Sequence, residues 1–238
     1  MSTDAMKLMA SATEPVAKCD GVTRRFEVRG ESVLAVDDVS LTVEAGTMVA
    51  LAGPSGSGKS TLLAILGCLD QQTSGTVRVG GYEIAELGRR DRRRLRRNTV
   101  AMVLPQPADN LLVARTGLAN LAIAMRHRGV APVSVESEFM QGVIGSVDLG
   151  SFVERTAATM SGGEQQRLAL ACALVGGTSL VLVDEPTGAL DNDNAARVVV
   201  ALTNATARGA TIVVATHDPN VIDASDVVVR LDHGRRVS

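Results

Sequence analysis

The chain has 238 residues, of which 45% are hydrophobic and 21% charged, proportions that suit one substantial globular core with room for an inserted subdomain. A net charge of −2 gives no overall attraction to polyanions, and no Trp, one Tyr and three Phe leave little with which to stack single-stranded bases. Cys19, Cys68 and Cys172 lack metal-ligand spacing and are expected as reduced, intracellular thiols, with Cys68 and Cys172 buried in helices.

Residues 1–17 are polar and rich in small side chains, lack the apolar segment of a secretory signal, and read as a disordered tail. No apolar run reaches the roughly 18 residues that a membrane helix needs, so any membrane span is expected in another chain. The stretch Val33–Val43 alternates apolar and polar (Val39, Leu41, Val43), as a half-buried strand does. Met48–Ala52 is continuously apolar and predicts a buried central strand. Directly after it comes Gly53-Pro54-Ser55-Gly56-Ser57-Gly58-Lys59-Ser60-Thr61, which fits the phosphate-binding pattern G-x-x-x-x-G-K-[ST], and Thr61–Leu66 then reads as helix.

Such a pattern arises by chance in on the order of 1 chain in 100 of this length, so its context decides. Strand, glycine loop and helix are the right context. The loop through Gly53, Ser55, Gly56, Ser57, Gly58 and Thr61 should form a nest of backbone N–H groups at a helix N-terminus. Lys59 is unusual, since only three lysines stand against 21 arginines. A compact ammonium on a flexible stem reaches the β- and γ-phosphates of a nucleotide, where a planar guanidinium is too bulky. Ser60 would set its hydroxyl on Mg²⁺.

Thr76–Val79 is a further short strand. Arg89–Arg97 (RRDRRRLRR) is the densest charge run; a nucleic-acid or anionic-lipid patch is one reading, and a solvated helix face is preferred given the acidic balance of the chain. From about Pro107 to Val175 the strand pattern stops, and Leu111, Leu112, Leu118, Leu121, Ile123, Phe139, Val143 and Ile144 suggest a helical insert. Within it, Ser161-Gly162-Gly163-Glu164 opens an apolar-patterned helix (Leu168, Ala171, Cys172, Val175). That is either an ordinary N-cap or a second anion site of the same physical type as the first.

Leu180–Val183 is a buried strand that ends in Asp184-Glu185, at the usual ligand crevice of an open α/β sheet. Asp184 suits Mg²⁺, and Glu185 suits positioning or deprotonating a water that attacks the γ-phosphate; the alternative is a helix-capping pair. Asn194–Ala207 reads as helix and Thr211–Ala215 as strand. His217 then falls at a strand end facing the same crevice, whereas His127 and His233 read as structural. Val227–Val229 is the last strand. The alternation argues for a mostly parallel sheet covered by helices.

In this order the motifs resemble those of the ATPase subunit of ABC transporters. The match runs from Walker A at Gly53–Thr61 through Gln106 in VLPQ, the signature SGGEQQR from Ser161, and LVLVDEP with Glu185. It continues with ALD ending in Asp191 and ATHD with His217. LGCLDQQTSG and DEPTGALD are similar to the lipoprotein-release, macrolide-export and cell-division branch. The resemblance implies an α/β P-loop NTPase fold of ABC type over residues 18–238. Its core sheet would be mostly parallel, with an antiparallel β portion near the N-terminus and a helical subdomain at about 107–175.

It also implies hydrolysis of ATP with Mg²⁺ as cofactor. Phe26 would stack on adenine, and Gln106 would touch Mg²⁺ and the attacking water. Ser161, Gly162 and Gly163 would contact the γ-phosphate held by a second subunit, and Asp191 would cross the dimer interface. A homodimer or heterodimer on the cytoplasmic face of the cell membrane would power a transmembrane permease in a separate chain, with no nucleic acid involved. Three positions depart from the family: Met160 for leucine, Cys172 for arginine and Ala119 for glutamate. The last two put partner contacts in question rather than hydrolysis. A soluble ABC-type ATPase, or a regulator acting without transport, remains the alternative.

Overall fold

The computed structural model describes residues 14–28 and 30–237, so the tail expected at residues 1–17 lies, up to residue 13, outside the described residues. Two sheets carry the fold. The first is antiparallel and built from β1 (Ala17–Val28), β2 (Glu31–Val43), β4 (Ser74–Val79) and β5 (Tyr82–Glu83), in the order β2-β1-β4-β5. The second contains β3 (Met48–Ala52), β6 (Val100–Val103), β7 (Leu180–Asp184), β8 (Ile212–Thr216), β9 (Val227–Asp232) and β10 (Arg235–Arg236). Its order is β10-β9-β3-β8-β7-β6, and only β10 runs antiparallel to its neighbour.

The continuous apolar runs are explained by two covered faces. Successive side chains of a strand point to opposite sides. In β3, β7 and β8, Val49, Leu51, Leu180, Leu182, Val213 and Ala215 join one apolar cluster, while Met48, Val181, Val183, Ile212 and Val214 join the other. The first cluster holds α1 (Lys59–Leu66) between the two sheets. At eight residues this helix is too short to stand alone. Leu62, Leu63, Ile65 and Leu66 are fully buried, and each contributes about 1.5–3 kcal/mol on burial.

The second cluster lies under helices. Between β6 and β7 the chain forms α3 (Gly117–His127), α4 (Glu138–Ser146) and α5 (Gly162–Leu174), and α6 (Asn192–Ala207) follows β7. Leu121, Met125, Leu168, Leu170, Val198 and Leu202 fill that layer. A short α7 (Pro219–Asp223) links β8 to β9, and α2 (Arg89–Thr99) runs straight into β6.

The strands and helices read from the sequence are present, most with edges a few residues further out. Neither β1 nor β6 was anticipated. β1 is hard to see because its period breaks: the register shifts between Cys19 and Val22 and again to Arg24 and Arg25, around Gly21 at φ 58°. Cys68 is buried as expected, but it sits in the turn beyond α1 at φ 53°, not in a helix. Burial pushes the Cys19 thiol up to about 12 and the Cys68 thiol to about 11, so both stay protonated.

Asn120, 5% exposed on α3, holds the loop before that helix. Its Oδ1 accepts from the Leu112 N–H at 2.8 Å, and its Nδ2 donates to the carbonyls of Thr116 at 3.0 Å and Leu112 at 3.2 Å. Asn120→Ala strands these buried backbone groups and should cost about 1–3 kcal/mol. Urea unfolding checks it; an unchanged midpoint would show that the loop does not depend on the amide.

Candidate functional site

The glycine loop spans the gap between β3 and α1, and its shape requires glycine at its ends. Gly53 (φ 155°) and Gly58 (φ 99°) have conformations that L side chains rarely adopt. A Cβ on Gly53 would strike the Leu231 carbonyl, and one on Gly58 the Ala35 carbonyl. Lys59, the first residue of α1, is 5% exposed, and its Nζ donates to the carbonyls of Gly53 at 2.8 Å and Pro54 at 2.9 Å. The loop therefore curls around the amine. Ser57 is 2% exposed, and among the described residues nothing bonds its hydroxyl.

The ends of β7 and β8 bring the acids and the histidine to that amine. Asp184 closes β7, and its Oδ1 accepts from the Ser60 hydroxyl at 3.2 Å. Burial holds the Asp184 carboxyl above its ordinary range; the Ser60 bond and Lys59 work against that rise, and Glu185 adds to it. Glu185 sits at φ 42°, and its N–H donates to the Ala215 carbonyl at 2.8 Å. Its Oε1 lies 3.6 Å from Lys59 Nζ and its Oε2 lies 2.9 Å from His217 Nδ1. A non-glycine residue in this region costs on the order of 1–3 kcal/mol, so the backbone strain falls on the acid that faces both Lys59 and His217.

Gln106 follows β6, the neighbour of β7, and is exposed; its side chain makes no hydrogen bond among the described residues. Its carbonyl is held by Asn110, whose amide donates to it at 3.0 Å and also clasps the Leu104 N–H and C=O, at 2.7 and 3.0 Å. Phe26 pairs with Val33 in the antiparallel sheet, close along β2 to the Ala35 carbonyl that abuts Gly58. The Arg24 guanidinium lies over its ring, 4.2 Å from the centroid, and Arg24 Nε donates to Asp70 at 2.9 Å.

Ser161 caps α5 through a reciprocal pair. Its Oγ accepts from the Glu164 N–H at 3.3 Å, and Glu164 Oε2 accepts from the Ser161 N–H at 2.9 Å. Asp191 caps α6, accepting from the Asn194 N–H at 2.9 Å and from its Nδ2 at 2.7 Å. These bonds, the backbone one first, hold the exposed Asp191 carboxyl below its usual range. Gly163 packs so closely on Asn194 that a Cβ would strike its amide, and Gly162 lies against Leu190. Ser161, Gly162, Gly163 and Asp191 thus form one unit at two helix N-termini. Among the described residues, no hydrogen bond or ion pair joins that unit to the glycine loop.

Two groups of residues therefore stand apart: Lys59, Ser60, Asp184, Glu185 and His217 in one, and Ser161–Gly163 with Asp191 in the other. Sequence reasoning had no signal for Asn110, Asn194 or Arg24, whose roles are contacts across space. The first group fits a nucleotide triphosphate: a buried ammonium, a loop with an orphan hydroxyl, and anion-favouring N–H groups at a helix start. Among the described residues no three His, Cys, Asp or Glu side chains converge on one point. A cation here would be held by Ser60, Asp184 and phosphate oxygens, a sparse oxygen set that suits Mg²⁺.

A family model described as ABC transporter matches residues 36–188. The chain is 37% identical over 224 residues to the macrolide export ATP-binding/permease protein MacB of Burkholderia thailandensis. It is 38% identical over 231 residues to MacB 1/2 of Paracoccus denitrificans. Those matches cover 94% and 97% of this chain but 34% of each relative, so the chain spans about a third of their length. Among solved structures it resembles the dimeric post-hydrolysis ATP-binding cassette MJ0796 bound to ADP and Pi. There the TM-score is 0.80 at 31% identity, over 93% of this chain and 97% of that one. CbiO1 of Clostridium perfringens, at 20% identity and TM-score 0.81 over 94% and 88% of the two chains, shares the fold.

The raised Asp184 carboxyl has a consequence for stability. Its folded value lies above the ordinary 3.8, so the cost of the buried charge builds as pH rises from 3.8 through the folded value and is constant above it. Asp184→Asn keeps the acceptor for Ser60 and removes the charge. At neutral pH the ligand-free variant should melt at or above the wild-type temperature, and the gap should close as pH falls towards the unfolded value. A lower melting temperature at neutral pH would contradict the burial argument.

Proposed function

The chain belongs to the ABC transporter family and is an ABC-type ATPase, and from that premise we propose how its residues divide the work. The observation that carries the reading is the Glu185 carboxylate, set between Lys59 Nζ at 3.6 Å and His217 Nδ1 at 2.9 Å. Lys59 binds the β- and γ-phosphates of ATP, and the loop from Gly53 to Thr61 supplies N–H donors to them. Ser60 and Asp184, with phosphate oxygens and Gln106 completing the set, would hold Mg²⁺, which would neutralise phosphate charge. Glu185 orients the attacking water and accepts its proton. His217 holds Glu185 in place from the side opposite Lys59. Phe26 lies beneath the adenine.

The second group completes the site from another copy or a related chain. Ser161, Gly162 and Gly163 present the N-terminus of α5 to the γ-phosphate held by the first subunit, and Asp191 lies at the junction. Two separated anion-favouring elements on one chain support this division, as does the dimeric state named for the MJ0796 cassette. The stretch of about 107–175 serves as the helical subdomain.

The dimer drives a transmembrane permease of the export or lipoprotein-release type, carried in a separate chain, at the cytoplasmic face of the cell membrane. The relatives' names join ATP-binding and permease parts. A concavity of about 560 Å³ beside the Gln106 loop, flanked by Leu104, Leu112, Ile123 and Cys172, offers the permease a docking place. The departure at Cys172 therefore falls on that surface and away from hydrolysis.

Lys59→Ala should abolish ATP binding, and Glu185→Gln should abolish turnover while leaving ATP-bound dimers visible by size-exclusion chromatography. Removing the base should slow hydrolysis by at least ~100-fold. Wild-type affinity in the first variant, or wild-type turnover in the second, would overturn the assignment.

A further inference from the structure

The face of α2 is not used by the reading above. Seven arginines and one aspartate between Arg89 and Arg97 give this segment +6, which leaves −8 for the rest of a chain whose total is −2. Leu95 alone is buried on this helix, and Arg96 is tied down by donating to the Cys68 carbonyl at 2.8 Å. Among the described residues, the side chains of Arg89, Arg90, Arg92, Arg93 and Arg94 make no ion pair or hydrogen bond.

The arrangement is unfavourable within the chain itself. Arg89 and Arg90 stand at the helix N-terminus, where the dipole disfavours cations. Arg89 faces Arg93, Arg90 faces Arg94 and Arg93 faces Arg97 at i, i+4 spacing, each a like-charge pair. At 100° per residue the arginines sweep a wide arc on the side away from Leu95. They line concavities on both flanks of the helix, of about 470 Å³ and 1300 Å³. Leu69, 58% exposed, lies between them.

We propose that α2 is a docking surface for the anionic headgroups of a lipid bilayer, so that the cassette itself touches the membrane. A broad arc with flanking hollows suits mobile phosphate headgroups, each taken by a guanidinium fork, better than it suits one narrow peptide strand. An exposed leucine beside the arginines can enter the headgroup boundary. Single-stranded nucleic acid fits less well, because no Phe, Tyr or Trp lines these hollows to stack its bases. The inference does not depend on the permease reading, since it concerns lipid and this chain alone.

The test is flotation of the full chain with vesicles of phosphatidylcholine, alone or mixed with phosphatidylglycerol. Binding is expected only to the mixed vesicles and should be lost near 1 M salt, where the screening length falls to ~3 Å. The quadruple variant R89Q/R93Q/R94Q/R97Q, which changes only exposed positions, should bind at least ~100-fold more weakly with basal ATPase activity unchanged. Equal binding to both vesicle types, salt-insensitive binding, or wild-type binding by the variant would each overturn the proposal. Wild-type protein that ignores vesicles yet binds polyglutamate through these arginines would also overturn it, in favour of an acidic protein partner.

Discussion

Glu185 is held from two sides, by Lys59 Nζ at 3.6 Å and by His217 Nδ1 at 2.9 Å, and the site's architecture converges on that arrangement. Three different elements must end in register for it to form. β3 delivers the glycine loop, β7 delivers the acids, and β8, which lies between them in the sheet, delivers the histidine. The sheet is fixed in turn by apolar packing on both faces, so the carboxylate is positioned by clusters that contain no charge of their own. A rigid, doubly covered sheet can hold side chains at its strand ends against their own preferences.

Those preferences are set aside here. Asp184 is a carboxylate in a place that favours its neutral form, and Glu185 occupies a backbone region that suits glycine. Both strains lie within one dipeptide, and both acids point towards the cation and hydroxyl donors of α1. Strain concentrated beside a cluster of opposite charges is what a preorganised phosphate site needs, because a bound ligand can relieve some of it.

Much of this was legible in the sequence where the chemistry is local. The glycine loop is written within nine consecutive residues, and the buried strands before it and before Asp184 show as unbroken apolar runs. The buried strand reading needed only the apolar run itself; the division of alternate residues between two cores needed the structure. What stayed hidden was non-local or out of period. β1 was lost because a bulge at Gly21 spoils its alternation, and α2 gave no hint that a strand follows it at once. Asn110 gave no warning that its one side chain clasps Leu104 and supports the Gln106 carbonyl. Nor did Asn194, which joins Asp191 to Gly163, since hydrogen bonds across loops leave no repeat to read.

One short loop, from Glu185 to Asp191, connects the acid of the first group to the cap of the second, and this short link supports the proposed division between two subunits. Complementation tests the division most directly. Lys59→Ala spoils the amine half of the site. Gly162→Asp spoils the other half with a charge that repels phosphate, at an exposed first-turn position where aspartate is favoured for folding. The account predicts that neither variant alone hydrolyses ATP and that activity reappears when the two are mixed, because mixed dimers contain one intact composite site. A mixture as inactive as its parts, with dimers present, would contradict it.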